Sequence, residues 1–101
     1  MIALSKQHRT RFNEIRQKLT SLGSKESVFV TIELLFYEAL AIARTYGEDP
    51  GNNLLADLNQ VYAEEYQATK EVFRKSRQRE LVIRKFVVRL KNALNVKETV
   101  S

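Results

Sequence analysis

One histidine, no cysteine and twelve carboxylates are what this chain of 101 residues offers for proton transfer or metal binding. The lone His8 excludes HExxH zinc sites and the paired ExxH di-metal sites of helical bundles within one chain, because both need two imidazoles. Without cysteine there is no thiolate nucleophile, no Cys-based zinc site and no disulfide framework. The three glycines are isolated and none leads into Lys-Ser or Lys-Thr in the register of a phosphate-binding loop. Glu33 and Glu38 lie five residues apart, so on a helix they point in different directions and do not form a matched acid/base pair. No nucleophile, base and orienting group can be assembled from these spacings, and the sequence reads as a non-enzyme with no cofactor and no metal.

Two polar residues fit their surroundings poorly. His8 falls on the apolar side of the first helical segment, one turn before Phe12. There it is expected to be a partly buried histidine with an ordinary hydrogen bond, the alternative being a pH-sensitive pair with an acid. Glu65 lies within an apolar stripe between Val61 and Ala68, where an unpaired carboxylate costs several kcal/mol. It therefore needs a partner, for which His8, Arg11 or Arg16 of helix 1 are the candidates.

The basic residues carry the clearer signal. Residues 1–22 hold a charge of +4, 23–65 a charge of −6 and 66–101 a charge of +7, within a net charge of +5. Between Lys70 and Lys91 there are nine basic residues against Glu71 and Glu80. On a helical projection Lys70, Arg74 and Arg77 share a sector with Arg84 and Lys91, and Lys85 lies at its edge. Groups spaced by three and four residues on a helix can follow a phosphate backbone, and arginine suits bidentate phosphate contacts. These six residues are the candidate nucleic-acid-binding set. Leu81 and Val88 project from the same side, with Phe73 near its edge, where apolar groups are unexpected. The competing reading is a protein adaptor or inhibitor that binds through an apolar helix 2 or through Leu81 and Val88. Opposite-sign patches also favour self-association to a dimer.

The elements that must position these groups are helices. Gly23 and Gly47 follow helical runs as left-handed terminators, Glu48-Asp49-Pro50-Gly51-Asn52 is the one strong loop, and no stretch alternates with the period of a half-buried strand. The expected fold is all-α, a single domain over 1–101 built as a small bundle of four helices at about 5–22, 25–46, 53–75 and 78–95. Ser5 is the expected N-cap of helix 1 and Ser24 that of helix 2. Helix 2 is apolar on nearly every side, which predicts the centre of the bundle or one half of a dimer interface. Helix 3 carries the stripe Leu54, Leu58, Val61, Ala68 and Val72, and helix 4 carries Ile83, Phe86, Val87, Leu90 and Leu94. Continuing the phase back from Ile83 puts Lys75 and Arg79 on the apolar face, so a break between them is expected, with Ser76 as a cap. Val28 to Ala43 is interrupted by Thr31, Glu33 and Glu38, so it reads as a buried helix and no membrane span is expected. The cysteine-free composition and a polar N-terminal stretch predict a cytoplasmic protein.

Overall fold

The computed structural model describes residues 4–47, 54–75 and 79–95, excluding the side chains of 72–75. Four helices follow in order: α1 (Lys6–Leu22), α2 (Phe29–Tyr46), α3 (54–75) and α4 (Arg79–Ala93). Among the described residues there is no strand. The all-α bundle expected from periodicity is the fold observed.

Each helix starts and stops for a local reason. The backbone N–H of His8 donates to the Ser5 side-chain oxygen at 3.1 Å, which makes Ser5 the N-cap of α1. Gly23 and Gly47 end α1 and α2 with φ of 76° and 66°, a region that costs side-chain-bearing residues energy. Ser24 does not cap α2. The chain instead makes a short 3-10 turn over Glu26–Val28 before the α-helix opens at Phe29, so the helix starts four residues later than expected. The start of helix 3 expected at about residue 53 and the Ser76 cap lie outside the described residues. The expected separation into two helices is borne out in that α4 lies back along α3, with Lys85 and Arg89 beside Glu65.

Neighbouring helices run antiparallel. Tyr46 near the end of α2 meets Ser5 and His8 at the start of α1, and Arg11 meets Glu38. Phe36 stacks on Tyr62, and Glu33 pairs with Lys70, which pins α2 to α3. Arg89 reaches Glu65 from α4 to α3. Phe12, Ile15 and Leu19 of α1, Ile32, Phe36 and Leu40 of α2, Leu58 and Val61 of α3, and Ile83, Phe86 and Leu90 of α4 converge in one core. Phe36 is its hub, with ring centroids 5.3 Å from Phe86, 5.6 Å from Tyr66 and 6.2 Å from Tyr62.

α3 is interrupted by a single π-helical turn over Tyr62–Tyr66, in which the Gln67 N–H bonds to the Tyr62 carbonyl. One extra residue in the turn shifts the buried stripe by one position from there on. The stripe runs Leu54, Leu58 and Val61 as expected, then Glu65 and Tyr66 together, then Thr69. Ala68, expected in the core, is exposed, and Val72 lies among the side chains outside the described set. Thr69 satisfies its buried hydroxyl by donating to the Glu65 carbonyl at 2.6 Å.

Candidate interaction faces

The fold separates the basic residues that a single helical projection groups together. Because α4 folds back along α3, Lys70 turns toward α2, 3.9 Å from Glu33 and with its ammonium 5.1 Å from the centre of the Tyr66 ring. Arg84, Lys85 and Lys91 share α4. Arg84 and Lys85 are exposed, Lys91 is half-buried, and Lys85 lies 3.9 Å from Glu65. Arg84 and Lys91 have no ion-pair partner among the described residues. The Arg74 side chain and all of Arg77 lie outside the described residues, as does the Phe73 side chain. Arg79 and Arg89 are occupied, the first by Glu26 and the second by Glu64 and Glu65.

The outer face of α4 has an apolar centre and basic margins. Leu81 and Val88 are 56% and 51% exposed and lie one above the other two turns apart, in line with the exposed Asn92 and Asn95. Arg84 and Lys91 border one side of this ridge and Lys85 the other. Glu80, at the start of the helix, is the single acid on it. Leu81 and Val88 therefore reach solvent, as their position on the basic side of the sequence projection suggests.

α2 has a second outer face of different character. The helix is not surrounded: Phe29, Ile32, Phe36, Ala39, Leu40 and Ala43 are buried, while Val30 and Leu34 are each 65% exposed. Tyr37 and Ala41 continue the same line, so from residue 30 to 41 the solvent side of α2 carries no charge. Its two flanking carboxylates are already occupied. Glu38 takes two hydrogen bonds from Arg11, one at 2.7 Å, and these hold its carboxyl below the usual glutamate range. Arg11 also bonds Glu14 at 3.0 Å, so its guanidinium is saturated and its own pKa is raised by those bonds. On the other flank the Tyr66 hydroxyl donates to Glu33 and accepts from Tyr37 at 3.1 Å. Burial, reinforced by the bond to Glu33, raises the Tyr66 pKa, so the phenol stays neutral.

Glu65 finds its partners on α4 and not on α1, because the π turn swings it toward that helix. Arg89 lies 3.1 Å and Lys85 3.9 Å from its carboxylate, correcting the expected pairing with His8, Arg11 or Arg16. Glu64, bonded by Arg89 and Gln60, has its carboxyl lowered by those bonds. His8 bears out the structural expectation: it is partly buried, shares a hydrogen bond with the Tyr46 hydroxyl and packs edge-on against its ring. A groove of about 760 Å³ runs beside it between α1 and α2, bordered by Lys6, Thr10, Arg11, Glu38 and Ile42. Its one guanidinium is already paired with Glu38 and Glu14, which leaves Lys6 as the lysine on its border. Among the described residues no group of three or more His, Asp or Glu is arranged to hold a metal, and no helix is long and apolar enough to cross a membrane.

No protein-family model, curated protein or solved structure matches this chain.

Proposed function

We propose that this chain is a non-enzymatic nucleic-acid-binding protein that grips phosphates through the outer face of α4, with Arg84, Lys85 and Lys91 as the central grip. Of the remaining candidates Lys70 faces α2, and Arg77 and the Arg74 side chain lie outside the described residues. The observation that carries the reading is the free charge on α4: Arg84 and Lys91 have no ion-pair partner among the described residues, while the carboxylates nearby are taken up by Arg79 and Arg89. Charges not spent on internal pairs remain able to displace counterions from a phosphate backbone. The cysteine-free composition supports a reducing setting such as the cytoplasm.

The test is binding of labelled single- and double-stranded DNA and RNA across a salt series. Affinity is expected to fall linearly with salt on logarithmic axes, and replacing Arg84, Lys85 and Lys91 by Ala lowers that slope by up to about 0.9 per duplex phosphate contact removed. Undetectable binding at low salt, or a slope untouched by the triple substitution, overturns the proposal. The exposed Leu81 and Val88 favour a second reading, an adaptor or inhibitor that seats this ridge on a protein. A specific protein that co-purifies through nuclease treatment and high salt, and is lost with Leu81→Asp, supports that reading over the first.

A further inference from the structure

We propose that the phosphate backbone of the nucleic acid lies along the seam between α1 and α4, gripped from one side by Arg16 and from the other by Arg84 and Lys91. This grip rests on the nucleic-acid reading of α4 and adds to it a residue from a second helix. α1 packs between α2 and α4. Its α2 flank is marked by Arg11, which bonds Glu38. At about 100° per residue Arg16 falls on the opposite flank of the stripe Phe12, Ile15 and Leu19, the flank toward α4. The α3 flank of α4 is marked in the same way by Arg89, which bonds Glu65, and Arg84 and Lys91 fall on the flank opposite, toward α1. Glu26, just past the end of α1, is bonded by Arg79 at the start of α4, so the two helices run antiparallel. At 1.5 Å per residue Arg16 stands about 9 Å from the end of α1, and Arg84 and Lys91 about 7.5 Å and 18 Å from the start of α4. Arg16 is therefore level with the interval between them.

Charge sets this seam apart. Each of the other three junctions between neighbouring helices is closed by an ion pair: Arg11 with Glu38 between α1 and α2, Lys70 with Glu33 between α2 and α3, and Arg89 with Glu65 between α3 and α4. At the α1–α4 seam cations stand on both sides, and Arg16, Arg84 and Lys91 have no ion-pair partner among the described residues. Arg9, on the same flank of α1, has contacts of its own and does not enter the grip. Glu80, the single acid on these two flanks, lies at the start of α4, beyond Arg84. Arg16 is moreover half-buried, and its Nε is buried without a hydrogen-bond partner. Its side chain's one hydrogen bond among the described residues, from Nη1 to Asn13, is long at 3.4 Å. An unmet buried donor costs free energy, and like charges gathered at one seam repel. A phosphate relieves both, because a guanidinium turned toward it bonds two oxygens at once through Nε and Nη2. Arg84 and Lys91 are about 10.5 Å apart along their helix, so a chain of phosphates reaches both where a single small anion does not.

The test uses the full chain and a short fluorescein-labelled oligonucleotide, chosen among single- and double-stranded DNA and RNA as the one the wild type binds most tightly, followed by anisotropy across a salt series. Arg16→Gln is expected to weaken binding about tenfold and to lower the logarithmic salt slope by about 0.7 for a single strand or about 0.9 for a duplex. Lys18→Gln removes the same charge from the α2 flank of α1 and is expected to change the slope clearly less. Both variants are compared after circular dichroism has shown unchanged helix content. If Arg16→Gln fails to fold, the strand is located with Arg16 in place. The chain lacks cysteine, so Thr20→Cys, exposed one turn beyond Arg16, can carry a photoreactive aryl azide that cross-links the oligonucleotide, while the same label on Leu34→Cys at the outer face of α2 does not. A wild-type slope in Arg16→Gln, an equal loss in Lys18→Gln, or equal cross-linking from the two labelled positions overturns the grip. The nucleic-acid reading then still stands if replacing Arg84, Lys85 and Lys91 lowers the slope, whereas undetectable binding at low salt overturns both.

Discussion

Phe36 and Leu34 lie two residues apart on one helix, and the structure gives them opposite fates. Phe36 is fully buried, with four aromatic rings within 6.2 Å of its own, whereas Leu34 is 65% exposed. Replacing Phe36 by Ala removes a buried phenyl and leaves a cavity that the surrounding rings fill only in part. Substitutions of this kind cost about 3–5 kcal/mol, and each lost ring pair adds roughly 0.5–1.5 kcal/mol at its best geometry, so the upper end is expected. A chain of this length is stable by about 5–15 kcal/mol in total, so the variant loses a third of its stability or more. At roughly 4–8 °C per kcal/mol for a domain of this size, the melting midpoint falls by about 20–40 °C. Leu34→Ala, compared with Phe36→Ala by urea titration, changes stability by less than about 0.5 kcal/mol. A Phe36→Ala cost below about 1.5 kcal/mol, or a Leu34→Ala cost equal to it, refutes the assignment of which side of α2 faces the core.

Acid should weaken the α1–α2 contact. Glu38 has a carboxyl pKa below the ordinary 4.5 in the folded chain, so its contribution is full above that value and is lost as pH falls through the folded one. Both partners are more than a third exposed, so the contribution is below about 1 kcal/mol, and Glu38→Gln is expected to flatten the fall in stability between pH 5 and pH 3 by that amount. Replacing Glu65 with Leu is expected to change stability by less than about 1.5 kcal/mol, since exchanging a buried charge in an ion pair for an apolar side chain is often neutral. Arg89→Ala, which leaves the buried Glu65 with Lys85 alone, is expected to lower the denaturation midpoint clearly more; the reverse order in the two titrations would mean that Arg89 does not hold Glu65.

Much of the architecture can be read from the residues. Ser5, Gly23 and Gly47 mark helix ends by their own chemistry, and the stripes of α1 and α4 repeat with the helical period, so the bundle follows from local rules. The start of α2 does not, because Glu26–Val28 take a 3-10 turn that side-chain chemistry does not announce. The second half of α3 is misread for a different reason. Its buried stripe slips by one residue at Tyr62–Tyr66, and a projection with a fixed period carries the error forward onto Ala68 and Thr69. The residues do not announce the slip: Glu65 and Tyr66 face the core together only because the turn is wider than a regular one. For the candidate basic face, the projection fails where the chain reverses between Lys75 and Arg79: residues aligned on one rod separate once α4 lies back along α3. The α4 part of the set stays together, and Lys70 does not.

The π turn also fixes what the gene can tolerate. Removing one residue from Tyr62–Tyr66 restores an ordinary α-helix without breaking its continuity, and because the wider turn absorbs that extra residue, Gln67 onward keeps its orientation relative to Leu54–Val61. Thr69 would stay in the core and Lys70 beside Glu33, so a single deleted codon there leaves unchanged the side chains that the rest of α3 offers to its neighbours. An insertion of one residue elsewhere in α3 has no such absorber. Length variation in this helix is therefore channelled to one turn, and a version of the chain one residue shorter there would keep the same buried stripe on an unbroken helix.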